Sequence, residues 1–264
     1  MVHRVSGADP DRVRSALRAA AGYGAYFRLR LAPETGLGGW RPVADLYADR
    51  DGSLAELIAR AGQRLGTAQA RVAASILQQG FAARLWSVVL GTVLAGGVLP
   101  VLDPAELRLR STPDSLTELL LSRPYGELVP PVVEPAELAA RIHGLVVEQH
   151  LHRLSSAIRA GVPLSARILT GNTASALVGT LRVLTLAGAD LPAASAVAGH
   201  LLAHPDLRGA GTADLASVPP SFARTSCCLY YRVPGGGLCG DCVLLGARLR
   251  PRSRGASPPG PAEH

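Results

Sequence analysis

All four cysteines of this 264-residue chain fall within sixteen residues near its end, Cys227 to Cys242, in the run CCLYYRVPGGGLCGDC. The spacing is C-C-x10-C-x2-C, an adjacent pair followed by a second pair two residues apart. Any fold of this chain has to present those thiols at one place, so the upstream residues read as the scaffold for a single tetrathiolate site.

Three chemistries suit four clustered thiols. A structural zinc ion usually takes two separated C-x2-C pairs in a tetrahedron. Here the first pair is adjacent, and neighbouring side chains of an extended backbone point to opposite faces. Directing Cys227 and Cys228 to one ion therefore strains the chain. A two-iron cluster is larger and offers separate attachment points, so it accepts the pair with less distortion. Disulfides fit a reducing compartment poorly. The spacing favours iron–sulfur over zinc while matching neither common ferredoxin pattern, and zinc stays open. Between the pairs, Pro234-Gly235-Gly236-Gly237 lets backbone N–H groups approach sulfur. Leu229, Tyr230, Tyr231 and Leu238 are candidates to shield the site from water. Asp241 would bias a cluster toward a lower reduction potential.

Composition narrows the remaining classes. Hydrophobic residues make up 48% of the chain and charged residues 18%, enough for a core and too little charge for a disordered tail or a coiled coil. All 27 basic residues are arginine, and the net charge is +7. Four arginines and one glutamate from Arg248 onward contribute +3 of that, leaving +4 on the body. No dense basic patch interleaved with aromatics occurs, so a nucleic-acid partner is not expected. The N-terminal MVHRVSGADPDRVRSAL has no apolar signal core, and a cytoplasmic protein is the expectation. Leu85 to Leu102 runs 18 residues without a charge. Gly91, Gly96, Gly97 and Pro100, with Arg84 and Asp103 at the ends, mark it as a buried core helix rather than a membrane span, leaving at most peripheral membrane contact.

Along the chain the pattern is mainly α, a helical bundle-like body with a small mixed N-terminal segment and a loop-rich C-terminal one. Residues 1–52 form the mixed segment: a helix over Arg12–Ala21 capped by Asp9 or Asp11, then an alternating strand at 25–31. The helical body spans 53–220. Ser53 and Glu56 form a capping box for a helix ending at Gly66. Thr67 opens another as far as Gly80, and an apolar helix runs from Phe81 to about Ala95. Residues 103–110 suit a strand or a short helix, and Ser115 with Glu118 suggests one more short helix. Prolines at 124, 130, 131 and 135 mark a sub-boundary near 124–135. A long helix follows from Pro135 to Ala160, stopped by Gly161 and Pro163. Asn172 is expected to cap the next, ending at Gly188, and Pro192 begins a last one reaching His204. Residues 221–247 carry the cysteines, and 248–264 have the composition of a disordered tail.

Other candidate sites are weaker. His143, Glu148, His150 and His152 share the long helix, and Glu148 with His152 stand four apart. Two ligands do not close a metal site, so a polar face is the expectation. The run TGNTASALVG at 170–179 lacks the lysine of a phosphate loop and reads as a small-residue helix packed against a neighbour.

At the cysteine motif the chain resembles the FhuF-type ferric siderophore reductases, whose hallmark is a C-terminal C-C-x10-C-x2-C holding a [2Fe–2S] cluster. QGFAARLWSVVLGTVLAGGVLP at 79–100 and LSARILTGNTASALVGTLRVL at 164–184, with its Gly171-Asn172, resemble the family's helical body, so the likeness covers roughly 40–245. It implies a [2Fe–2S] cofactor on Cys227, Cys228, Cys239 and Cys242. It also implies one-electron reduction of a ferric siderophore complex in the cytoplasm, releasing Fe(II). An iron or redox sensor, an electron-transfer protein and a zinc-stapled structural protein are the alternatives. No flavin or nicotinamide motif is present, so the electron donor is expected to be external: a ferredoxin, a flavodoxin or a reductase. Arg224 and Arg232 flank the cysteines and are the candidates for steering an anionic complex.

Overall fold

The computed structural model describes residues 7–32, 37–112 and 115–245. The expected tail at 248–264 lies outside them. The fold is mainly α. The helices are α1 (Pro10–Ala20), α2 (Val43–Ala48), α3 (Ser53–Leu65), α4 (Ala70–Gly96), α5 (Pro135–His143), α6 (His152–Gly161), α7 (Ala166–Leu186) and α8 (Pro192–Ala203). The strands are short: β1 (Arg30–Leu31), β2 (Arg41–Pro42), β3 (Val98–Pro100), β4 (Leu107–Arg110), β5 (Glu118–Leu121), β6 (Gly126–Leu128), β7 (Gly211–Asp214) and β8 (Ser221–Arg224). They form one four-stranded sheet in the order β1-β5-β4-β2 and two antiparallel pairs, β3-β6 and β7-β8.

Helix α4 is the axis of the body. It is apolar almost all round, with Phe81, Leu85, Trp86, Val88 and Val89 fully buried, and it packs against α1, α3 and α7. A helix hydrophobic on every side belongs inside a core. It ends where expected: Gly97 adopts a left-handed conformation and its N–H returns to the Val93 carbonyl. No helix among the described residues is long and apolar enough to cross a membrane. The expected break at Gly80 does not occur, because an interior glycine costs only about 1 kcal/mol and burial on both sides outweighs it. One buried cluster runs from Ala8 to Leu207, with members on both sides of 124–135.

Several other boundaries differ from the sequence expectation. Helix α3 is capped by Asp49 and Asp51, whose carboxylates accept from the N–H groups of Leu54 (2.9 Å) and Ser53 (3.1 Å); Ser53 is already inside the helix. Residues 25–31 hold a 3-10 turn and only the two-residue β1. The short helix expected near Glu118 is β5, since its Leu119, Leu120 and Leu121 are buried and Glu118 pairs with Arg110 (2.9 Å) of β4. Helix α7 starts six residues before Asn172, with the Ser165 hydroxyl accepting from Arg167 N–H (3.2 Å). The long helix from Pro135 is present but contains a π-helical segment at Gly144–Leu151 between α5 and α6.

His150 shows how that segment is fastened. It is fully buried, its Nε2 donating to the Leu102 carbonyl (2.6 Å) and its Nδ1 accepting from the Tyr47 hydroxyl (2.7 Å). Burial lowers its pKa to about 4. An unfolded histidine near 6.5 binds more protons than this folded one between those values, so stability rises with pH there. Acidification from pH 6.5 to 4 is expected to remove about 3 kcal/mol through this residue. Denaturant unfolding across that range checks it, and His150→Gln should flatten the slope.

Candidate metal centre

The β7-β8 pair delivers the chain to the cysteines. Phe222 and Arg224 of β8 point inward, and Ser226 follows with its hydroxyl on the Arg167 carbonyl (3.0 Å) at the start of α7. Cys227 and Cys228 come next. Ser75 of α4 donates to the Cys228 carbonyl (2.8 Å), and Leu229 takes a left-handed conformation that returns its N–H to Cys227 Sγ (3.3 Å). The chain then makes a 3-10 turn at Tyr230–Arg232 and doubles back through the glycines. Gly235 and Gly237 have φ of 72° and 67°, and a Cβ on Gly236 would sit 2.7 Å from the Tyr230 carbonyl oxygen. Only glycine suits those three positions. The return strand is held where Arg224 N–H meets the Asp241 carbonyl (3.2 Å), which sets Cys239 and Cys242 beside the first pair.

All four thiols are free. Cys228 and Cys239 share a hydrogen bond at 3.5 Å. That separation is close to the roughly 3.8 Å expected for two thiolates bound tetrahedrally at about 2.3 Å from one ion. The shared bond with Cys239 holds Cys228 down to about 6, and the same bond, with burial, raises Cys239. Burial raises Cys227, and the negative charges of Cys228 and Cys242 push both Cys227 and Cys239 up further. Four anions this close together are unstable without cations, and a metal centre supplies them.

Arg224 points the same way. Its side chain is buried, with 3% of the residue exposed, and it bonds only neutral acceptors: Asn172 Oδ1 and Gln79 Oε1 (3.4 Å). Its Nε has no partner, and no carboxylate pairs with it among the described residues. A buried guanidinium needs an anion. Cys228, the thiol that its bond with Cys239 holds down, is the nearest such anion, and the Arg224 charge adds to lowering it. Arg224 is therefore turned inward and is not placed to steer a complex at the surface. Arg232 is exposed, leaning on Tyr231 (3.0 Å from Nε to the hydroxyl) and Gln69.

The scaffold behind the site is the α4–α7 interface. Asn172 Nδ2 donates to the Ser75 carbonyl (2.9 Å), and its Oδ1 receives Arg224. Asn172 thus spends its side chain on tertiary bonds deep in the core instead of capping a helix. A Cβ on Gly171 would collide with the Ser226 hydroxyl, so the Gly-Asn pair is what lets the cysteine strand lie against α7. Asp241 is held by the Ser175 hydroxyl (2.6 Å) and by Arg182 Nη2 (3.4 Å). Ser75, Gln79, Ser175 and Arg182 were not singled out from the sequence. The signal was there in part: positions 172, 175, 179 and 182 follow helical spacing on one face of α7. Cys228 and Cys242 are buried, while Cys227 and Cys239 are partly exposed, so the site has a closed inner side and an open outer edge.

These residues fit an iron–sulfur group, and the comparison with known families agrees. Residues 224–244 match the family model described as the FhuF 2Fe-2S C-terminal domain. The chain is thus an iron–sulfur protein with a [2Fe–2S] cofactor. Its C-terminal segment is of the FhuF type, inside the wider 40–245 stretch over which the resemblance was expected. No curated protein matches the chain.

Charge at Asp241 offers a clean test of how the site is tuned. Asp241→Asn keeps an acceptor for Ser175 and removes a negative charge close to the cysteines. Arg182 loses its counter-ion at the same time. Both changes favour an added electron, so the reduction potential should rise by some tens of millivolts. Redox titration of the visible spectrum reads it, and an unchanged or lowered potential counts against this role.

Proposed function

We propose that the protein is a cytoplasmic ferric siderophore reductase. It takes electrons from an external donor (a ferredoxin, a flavodoxin or a reductase) and reduces bound ferric complexes one electron at a time. The observation that carries this reading is the match of residues 224–244, which include all four cysteines, to the FhuF [2Fe–2S] domain. A bound cluster supplies one-electron chemistry, and siderophore oxygens hold hard Fe(III) far more tightly than Fe(II), so reduction unloads the metal.

The chain's own residues supply access and docking. Cys227 and Cys239 stand at the partly exposed edge, which keeps the path to a docked complex short. Between α3, the start of α4 and the end of α6 lies an open, mostly apolar groove of about 630 Å³, lined by Leu54, Ile58, Ala73, Ile158 and Val162. Gly66 on its rim comes against Pro234 of the cysteine loop, and Arg232 reaches Gln69 beside it. A broad apolar groove with a cation at its mouth suits a large anionic chelate. Arg232→Glu is expected to raise KM for such a complex several-fold at low ionic strength, with the difference shrinking in high salt. Steady-state kinetics at two salt concentrations measures this.

The reading as a whole is tested by anaerobic single turnover. Chemically reduced protein mixed with a ferric siderophore and a ferrous trap should reoxidise while the trap develops one Fe(II) per electron delivered. Reoxidation without trapped Fe(II), or none at all, would reassign the protein to electron carriage or redox sensing.

A further inference from the structure

A second cluster of metal-ligating side chains lies where the end of α8 meets the junctions of the π-helical segment, and it contains no cysteine. Asp206 Oδ2 stands 2.9 Å from His143 Nε2, 3.5 Å from His152 Nε2 and 3.6 Å from His204 Nδ1. The donor atoms of His143, His204 and Asp206 all lie within 4.8 Å of one another. The His143 and His204 rings lie face to face at a tilt of 34°, with centroids 3.7 Å apart. Glu148 Oε1 is 3.4 Å from His143 Nδ1, the ring atom turned away from Asp206.

Hydrogen bonding accounts for only part of this convergence. His143 bonds Asp206 Oδ2 at 2.9 Å and His204 Nδ1 accepts from the Asp206 N–H at 3.3 Å. The 3.5 and 3.6 Å approaches of His152 and His204 to Oδ2 are too long for bonds, yet three imidazoles gather about one carboxylate oxygen. An ion bound at 2.0–2.1 Å by imidazole and carboxylate separates its tetrahedral donors by about 3.3 Å, and the three distances bracket that value. The π-helical segment belongs to the same arrangement. His143 and His152 are nine positions apart, two and a half turns of an α-helix, which would put them on opposite faces. The wider i→i+5 turns of Gly144–Leu151 bring nine residues close to two full turns, so both rings reach Asp206. Glu148, one π turn after His143, has the position of a carboxylate that orients a metal-bound imidazole.

We propose that His143, His152, His204 and Asp206 form a mononuclear site for a divalent first-row transition ion, separate from the cysteine centre, with Glu148 positioning His143. The nitrogen-rich donor set excludes Ca(II) and Mg(II), which take oxygen ligands, and suits Fe(II) or Zn(II). His143 is buried, whereas the side chains of His152, His204 and Asp206 keep 50%, 39% and 33% of their exposure, so an ion enters from solvent.

The test uses protein with its cysteine centre loaded, freed of loose metal on a chelating resin and kept anaerobic. Calorimetric titration with Zn(II) and with Fe(II) should give one site per chain for at least one ion, without change in the visible spectrum. Zinc-edge X-ray absorption should show a shell of nitrogen and oxygen only. Asp206→Asn and His204→Ala, both at half-exposed positions, should weaken binding at least tenfold. No binding of either ion to the wild-type chain, equal binding by those variants, or a sulfur shell around zinc would overturn the assignment. If His143→Ala fails to fold, His152→Ala provides a third, exposed position with the same expected loss.

Discussion

Cys228→Ser is expected to leave the purified protein nearly colourless, with iron content below about one tenth of wild type. The cause is position as well as ligand loss. Cys228 is buried, its carbonyl is pinned by Ser75 of α4, and its sulfur is the one held closest to Cys239. Serine there puts a hard, protonated oxygen where a thiolate is needed, in a place where the backbone cannot shift to compensate. Because metal affinity in a site of this kind is also folding free energy, the variant should melt lower than wild type. Cys227→Ser, at the open edge, is expected to retain more iron than Cys228→Ser. Iron and sulfide assays with the visible spectrum of all four single variants measure the ranking; equal retention across the four would contradict it.

Replacing Arg224 should shift the chemistry of the site without touching a ligand. A unit charge at roughly 8 Å in an effective dielectric near 20 is worth about 2 kcal/mol. At 59 mV per tenfold for one electron, that is a potential about 90 mV lower in Arg224→Met. The sign follows from the charge, since a buried cation favours the reduced, more negative centre. Arg224→Lys keeps the charge but cannot satisfy Asn172 and Gln79 together, so it should recover most of the potential and little of the stability. A further contrast separates charge from packing. In apoprotein with neutral thiols, Arg224 is a buried cation without an anion, so Arg224→Met should destabilise the apo form less than the loaded form. Redox titration and thermal melts of both forms read these differences.

The cysteine site was legible because its spacing is local. So were the left-handed glycines that end α3, α4 and α7, the Asp9 cap of α1 and the prolines that open α5 and α8, since each acts within its own turn. The misreadings share a different cause. Asn172 carries the local signature of a cap, but its partners, Ser75 and Arg224, are 97 and 52 residues away. Glu118 looked like a helix start because its partner Arg110 and the parallel pairing of β5 with β1 are tertiary facts. Arg224 looked like a surface cation for the same reason: nothing adjacent in sequence shows that β8 turns it under α7. The π-helical segment leaves no trace in apolar spacing, so the approach of His152 to His143 was not readable, and His204 and Asp206 belong to another element altogether.

The central claim is that residues 224–244 hold a two-iron cluster that can deliver an electron. The most direct measurement is metal and sulfide analysis of anaerobically purified protein, with its visible spectrum before and after reduction. The prediction is a red-brown protein with about two irons and two sulfides per chain and a spectrum that bleaches on reduction. A colourless protein carrying one zinc per chain on the same cysteines would contradict it.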